Sequence, residues 1–384
     1  MSNINDYLKW RGDINLSYSD FNEVDELILA RFSYLPFKKI NLEEVETIED
    51  ISKKMANFKE EDFAYHGDKE LTSLLGKSER FKDFKVTDFV ENTDVETEKQ
   101  FSAITIHLND KIMYVSFDGT DNSIVGWKED FNMSFLENIP SQIAGKNYLE
   151  KIANKYKDKK IYVGGHSKGG NVSVYAAIAN NKDVQDRIIK IINCDGPGFG
   201  ENVINSQGYK NIIDKVVTYI PQDSVIGRVL EHEEKYKIVK SIEKGIYQHD
   251  IYSWQVMRTN IEKYANVTDT SEFINKTLKN YLKETTPEQR KIFVGIVYEI
   301  ISSTNAKTFK EFSKIWFSKL PTILKSYKSL NEEDKKILTN MAGEFFRSAL
   351  KTMRSDREER KKIETESEKL NENNVKTIGN ATID

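Results

Sequence analysis

A chain of 384 residues, 38% of them hydrophobic, can bury at least one full core, and its length suits one large α/β domain with a smaller one appended. Lys and Arg number 57 against 61 Asp and Glu, and this net charge of −4 excludes the basic footprint of a nucleic-acid binder. The first residues, Met1-Ser-Asn-Ile-Asn-Asp-Tyr-Leu-Lys-Trp10, lack a cationic flank before an apolar core, and no run reaches about 18 apolar residues, so no secretion signal and no transmembrane segment are expected. The single cysteine, Cys194, cannot form an internal disulfide and fits a cytoplasmic protein.

The first recurring apolar pattern is Phe21-Asn-Glu-Val-Asp-Glu-Leu-Ile-Leu-Ala30, which predicts a helix starting near Phe21 behind Ser19-Asp20 and ending by Pro36. Thr47-Ile-Glu-Asp-Ile-Ser-Lys-Lys-Met55 predicts a second, capped by Thr47 with Asp50 in its first turn. Gln100–Leu108 and Lys111–Phe117 then read as an antiparallel hairpin around Asn109-Asp110, with His107 on the polar face as a surface residue. His66 falls in a loop.

The second hairpin strand runs into Asp118-Gly-Thr-Asp-Asn-Ser-Ile-Val-Gly-Trp127-Lys-Glu-Asp130. Taken alone, this is a hairpin exit loop. An apolar stripe through Ile143, Tyr148, Leu149, Ile152 and Tyr156 next predicts a helix over 141–157. Directly after it comes Ile161-Tyr-Val-Gly-Gly-His-Ser-Lys-Gly-Gly-Asn171, a short apolar run meeting Gly165-x-Ser167-x-Gly169 and then small, helix-tolerant residues. We read this as a nucleophile elbow: a strand turning so tightly into a helix strains its middle residue, and glycines two positions either side relieve the collision.

Two further runs rich in β-branched residues, Ile188–Cys194 and Lys215–Ile220, complete an alternation of strand and helix. The expectation is therefore an α/β protein with a mostly parallel sheet covered on both faces, its active residues outside the carboxyl ends of the strands.

A serine needs a histidine to take its proton and a carboxylate to orient that histidine, in the chain order Ser, Asp, His for this fold. Two histidines follow Ser167. His232, among Glu231, Glu233 and Glu234, reads as a solvated surface residue, whereas His249, in Gly245-Ile-Tyr-Gln-His-Asp-Ile-Tyr-Ser-Trp254, lies among aromatics that exclude water, so His249 is the expected base. Asp223 follows the later strand and is the preferred acid. Asp195 is its rival, although it also suits the turn Asp195-Gly-Pro-Gly198. Oxyanion stabilisation requires two converging donors; the N–H of Lys168 and the N–H or hydroxyl of Thr120 are the candidates.

Assembled in this way, Asp118-Gly119-Thr120, Trp127 to Asp130 and Gly165 to Gly169 resemble the class 3 lipases, whose pattern is Arg-Gly-Ser/Thr, Trp-x-x-Asp and Gly-His-Ser-x-Gly. The opening Asp6–Asp13, with Phe21–Asp25, Cys194-Asp-Gly-Pro-Gly-Phe199 and Gln248-His-Asp250, is similar to the Mbeg-like bacterial family of presumed α/β-hydrolases over roughly residues 1 to 260. The resemblance implies an α/β-hydrolase fold, an oxyanion donor at Thr120, a nucleophile at Ser167, and acid and base at Asp223 and His249. Asp118 departs from the lipases' usual arginine, and Lys168 puts a charge beside the nucleophile that argues against a greasy substrate.

From about Ser271 successive helix starts follow: Thr286-Pro-Glu-Gln289, Thr308-Phe-Lys-Glu311 and Asn331-Glu-Glu-Asp334, with Pro321 expected to kink the helix through Phe309, Phe312, Trp316, Leu320, Ile323 and Tyr327. Ile292–Tyr298, apolar most of the way round, reads as a central core helix. The expected organisation is a hydrolase domain over 1–265, a helical bundle over 266–354 and a charged, disordered tail over 355–384. The function expected is hydrolysis of a small-molecule or lipid carboxylic ester or thioester through an acyl-serine. No cofactor and no metal are expected, since no cluster of His, Cys and carboxylates has ligand spacing. The alternative is a catalytically silent fold acting as a scaffold, with the helical region docking a protein partner.

Overall fold

The computed structural model describes residues 2–120, 123–304 and 318–355. Nine strands form one mixed sheet in the order β1-β2-β3-β4-β5-β6-β7-β8-β11, and β9 (Val256–Met257) and β10 (Asn260–Ile261) pair separately. Four parallel ladders, the arrangement expected, run from β4 (Ile112–Phe117) through β5 (Lys160–His166), β6 (Ile188–Cys194) and β7 (Val216–Pro221) to β8 (Tyr236–Val239). Antiparallel strands flank them: β1 (Val45–Thr47), β2 (Lys85–Asp94) and β3 (Lys99–His107) on one side, β11 (Lys263–Tyr264) on the other. The hairpin expected between β3 and β4 is present. Asn109 Oδ1 closes its turn by accepting from the N–H groups of Lys111 and Ile112 at 2.8 and 2.9 Å.

One face of the sheet is covered by α1 (Ile4–Arg11), α2 (Glu23–Phe32), α3 (Ile48–Met55) and α4 (Asp68–Lys77). The other carries α6 (Pro140–Lys155), α7 (Lys168–Ile178), α8 (Lys182–Arg187) and α10 (Gln207–Ile212). Between these last two lies the short α9 (Glu201–Ile204). Thr47 caps α3 with Asp50 in a capping box, as its sequence dictates, but the helix expected at Phe21 starts two residues later behind Asn22.

Every residue of α2 from Val24 to Phe32 is buried, charged ones included. The charges survive there because each has a partner. Asp25 accepts from Arg80 Nε at 2.8 Å, Arg31 grips Asp68 through Nε and Nη2 at 2.8 and 2.7 Å, and Glu26 accepts from Lys190 Nζ at 2.6 Å.

The C-terminal region is helical, comprising α11 (Asp269–Glu284), α12 (Pro287–Ser302), α13 (Leu320–Ser329) and residues 332–355. Thr268 caps α11, and Thr286 with Gln289 forms the expected capping box of α12. Pro321 stands in the first turn of α13, so it opens that helix instead of kinking it, a position where its missing N–H costs nothing. The start expected at Thr308 and the tail beyond Ser355 lie outside the described residues. Segment 292–298 is a docked helix and not a central one. Of its side chains Val294 and Ile296 are buried, and α12 packs on α5 (Ile124–Asn132), where Lys128 Nζ lies 4.0 Å from the Tyr298 ring centre and Arg290 Nε donates to the Ser134 carbonyl at 2.6 Å. Among the described residues no helix is long and apolar enough to cross a membrane.

Removing one member of a buried ion pair strands the other, so Arg31→Met is expected to destabilise the protein by about 3–5 kcal/mol in denaturant unfolding. Lys182→Ala, which breaks the exposed Lys182–Asp186 pair, should leave the unfolding midpoint almost unmoved.

Candidate active site

The parallel register brings the candidate residues to one edge. Phe117 pairs with Gly165, His166 with Cys194, and Cys194 with Tyr219, so the residues following these strands emerge side by side. Ser167 sits between β5 and α7 with φ 58° and ψ −131°, a conformation that costs a non-glycine residue about 1–3 kcal/mol. Its N–H donates to the Cys194 carbonyl at 2.9 Å, and its own carbonyl accepts from Gly170 N at 2.9 Å. The flanking glycines are required by contact: a Cβ on Gly165 would lie 2.5 Å from the Gly169 carbonyl, and one on Gly169 would lie 2.3 Å from Phe117 O. Lys168 is the first residue of α7, where the N–H has no intrahelical acceptor.

His249 lies at the end of a 3₁₀ turn over Gly245–His249, with its side chain 20% exposed. Its Nδ1 is 2.6 Å from Asp195 Oδ2. Asp195 is 1% exposed, and its other oxygen accepts from Ser224 Oγ at 2.5 Å and Gly227 N at 3.1 Å, so the carboxylate is held by three donors. An Nδ1–H pointing at Asp195 leaves Nε2 of the neutral ring as an acceptor. Among the described residues no hydrogen bond joins Ser167 Oγ to His249; such bonds commonly tighten only with substrate in place.

Asp223, expected beside the histidine, is turned elsewhere. Its Oδ1 accepts from Thr268 Oγ1 at 2.6 Å, and its Oδ2 accepts from Gly245 N and Gln248 Nε2, each at 3.0 Å. Asp223 therefore ties the loop carrying His249 to the cap of α11, and the carboxylate that meets the imidazole is Asp195. Chain order could not separate the two. Asp195 leaves its strand at φ 52°, a kink that swings the side chain across the sheet edge, and nothing in the local sequence beyond the following Gly-Pro-Gly announces it.

Thr120 Oγ1 donates to both oxygens of Asp130, at 2.8 and 2.6 Å. The hydroxyl proton is thereby engaged, which leaves the Thr120 N–H as the donor available to a ligand. Lys168 also differs from its expected presentation. The ammonium is buried, donating to Glu129 Oε2 at 2.7 Å and to Gln100 O and Oε1 at 2.9 and 2.6 Å, so it offers no charge to a substrate. Glu129 and Asp130, adjacent on α5, thus brace Lys168 and Thr120 respectively.

Two histidines read as surface residues are not. The His232 side chain is 1% exposed, with Nδ1 2.8 Å from Glu234 Oε1. Burial works to raise the Glu234 carboxyl, but His232, Thr218 and Tyr209 outweigh it and hold the group at about 2. His107 is half-buried against Tyr156, with Nε2 3.0 Å from Thr87 Oγ1. His166, to which the motif assigns no role, is fully buried with its ring against that of His249.

A cleft of about 510 Å³ opens between Phe135, Gln142, Gly198 and Phe199 on the α/β body and Leu282 and Arg290 on the C-terminal helices. Neither Ser167 nor His249 lines it.

The family model described as Mbeg1-like matches residues 75–299, more than half of the chain. The chain belongs to the Mbeg1-like family. The match begins in the last turn of α4 and ends within α12, so α11 and most of α12 belong to the family unit. No curated protein matches. Among solved structures the chain is similar to M37 lipase (18% identity, TM-score 0.36, covering 53% of this chain and 69% of that one). It is also similar to the Rhizomucor miehei lipase propeptide complex (11%, 0.36, 56% and 67%) and to a lipase from Rhizopus microsporus var. chinensis (16%, 0.31, 58% and 84%). Likenesses this distant assign no chemistry, which has to be read from the side chains.

Burial pushes the Asp130 carboxyl up to about 6, against Lys168 and the Thr120 hydroxyl. Its folded value exceeds its unfolded value of about 3.8, so the native state binds the extra proton, and stability should fall as pH rises from about 4 to about 6. Asp130→Asn is expected to remove that component, which thermal melts of the two proteins across this range would read.

Proposed function

We propose that this Mbeg1-like protein is a serine hydrolase that cleaves a carboxylic ester or thioester through an acyl-serine intermediate. The observation that supports this most is the conjunction of a strained, half-buried serine at a strand-to-helix turn with an imidazole whose Nδ1 meets a buried, triply held carboxylate at 2.6 Å. A purely structural histidine would have no need of a partially exposed ring at the edge where three parallel strands end.

In this reading Ser167 Oγ attacks the carbonyl carbon while His249 Nε2 takes its proton. Asp195 stabilises the imidazolium without being protonated itself. The oxyanion accepts from the N–H groups of Lys168 and Thr120, whose segments are locked by Glu129 and Asp130; removing one such donor typically costs about 10²- to 10³-fold in rate. Collapse of the tetrahedral intermediate expels the alcohol or thiol, protonated by His249, and a water activated by the same ring releases the acid. The neutral, buried environment of Lys168 keeps a lipid acyl chain compatible with the site. A cytoplasmic setting is part of the proposal, consistent with one buried, unpaired cysteine.

A fluorophosphonate probe read by intact mass should give a single adduct on the wild type and none on Ser167→Ala or His249→Ala. Asp195→Asn should slow labelling by about 10³- to 10⁴-fold, the loss expected when a buried carboxylate no longer fixes the tautomer. Asp223→Asn should slow it far less, through loosening of the loop. A folded wild type that never labels would favour the scaffold reading instead.

A further inference from the structure

We propose that His166, braced by Tyr34, is a positioning residue that sets His249 against Asp195. The inference rests on the reading of Ser167 and His249 given above. His166 directly precedes Ser167 and is wholly buried, and its ring packs on that of His249 with centroids 4.5 Å apart and planes tilted by 36°. Its Nε2 lies 2.7 Å from the His249 carbonyl. A carbonyl only accepts, so Nε2 carries the proton, and Nδ1 faces the Tyr34 hydroxyl at 3.1 Å. Burial, with charge at His249 and Arg31 adding to it, pushes the basicity of His166 well below the ordinary range, which keeps the ring neutral in this orientation.

One side chain thus holds the general-base candidate twice, by its backbone carbonyl and by its ring face. Because His166 is also the chain neighbour of Ser167, the two reacting groups are referenced to a single residue. Tyr34 is held in turn. Its ring lies 4.1 Å from the Arg31 guanidinium, Arg31 grips Asp68, and Asp68 accepts from the Tyr252 hydroxyl at 2.7 Å, three residues beyond His249. The same Tyr34 hydroxyl fills the space beside Gly119, where a Cβ would come within 1.9 Å of it, so the bracing extends to the turn that carries Thr120. No element of the proposed chemistry requires a histidine at 166. A donor aimed at the His249 carbonyl explains why a polar ring occupies a site that an apolar residue would fill.

Glutamine can reach the carbonyl with its amide N–H, whereas leucine fills the space without a donor. With the fluorophosphonate probe, His166→Leu should label about a hundredfold more slowly than the wild type, as expected for a displaced reacting group, while His166→Gln recovers most of the rate and Tyr34→Phe falls between them. In parallel, the low-field proton resonance of His249 Nδ1, identified by its disappearance in Asp195→Asn, should stay sharp in His166→Gln and broaden or shift in His166→Leu. Wild-type labelling and an unmoved resonance in His166→Leu would overturn the proposal. So would equal losses in the Leu and Gln variants that track equally lowered melting temperatures, since that is the behaviour of a merely structural residue. If the folded wild type fails to label, the hydrolase reading falls, and the resonance still decides whether His166 positions His249.

Discussion

The close approach of β4, β5 and the start of α7 is the constraint on which the rest of this structure depends. With Gly169 packed onto the Phe117 carbonyl and Gly165 onto the Gly169 carbonyl, the chain has no room to pass from strand to helix except through the strained conformation of Ser167. That single steric condition aligns the ends of the parallel strands. It also places the Lys168 N–H at a helix start and brings the Thr120 turn alongside. The strain costs about 1–3 kcal/mol locally, and the buried cores on both faces of the sheet hold it in place.

Polar groups around this point are arranged in two shells with different tasks. Asp195 and Glu129 each face one partner at the site edge and accept from further donors behind it, and Asp130 holds the Thr120 hydroxyl with both oxygens, so their directions are fixed. Behind them lie the Arg31–Asp68 pair and the tyrosines stacked on it, which belong to the N-terminal helices and not to the strands that carry the site. The N-terminal cap is therefore part of the machinery that supports His249. The C-terminal helices reach the site from the opposite direction, through the cap of α11 on Asp223 and through α12 on the outer face of α5, whose inner face carries Glu129 and Asp130.

Several of these features were legible in the sequence. The alternation of β-branched runs and amphipathic segments signals the parallel sheet, the hairpin and the covering helices, because these follow from local periodicity. The antiparallel strands β1, β2 and β11 carry weaker signals: the edge strands β1 and β11 are very short, and β2 has charged residues spread along its length. Burial of α2 on all sides is likewise hidden, since its charged residues look solvated until Arg80, Asp68 and Lys190 arrive from distant segments.

What the sequence determined by itself is the turn at Ser167 and its glycines, because strain and its relief are local and are written in five consecutive residues. It also singled out His249 from its aromatic segment, of which Tyr252 and Trp254 are buried while Ile246 and Tyr247 are exposed. What only the tertiary structure decided is which carboxylate meets that histidine and where the buried charges point. Asp195 and Asp223 both follow strands in the same chain order, and a positive φ at Asp195 together with the Thr268 cap on Asp223 separates them. Lys168 shows the same limit: its place beside the serine is a property of the chain, but the direction of its ammonium depends on Gln100 and Glu129, which lie 68 and 39 residues away.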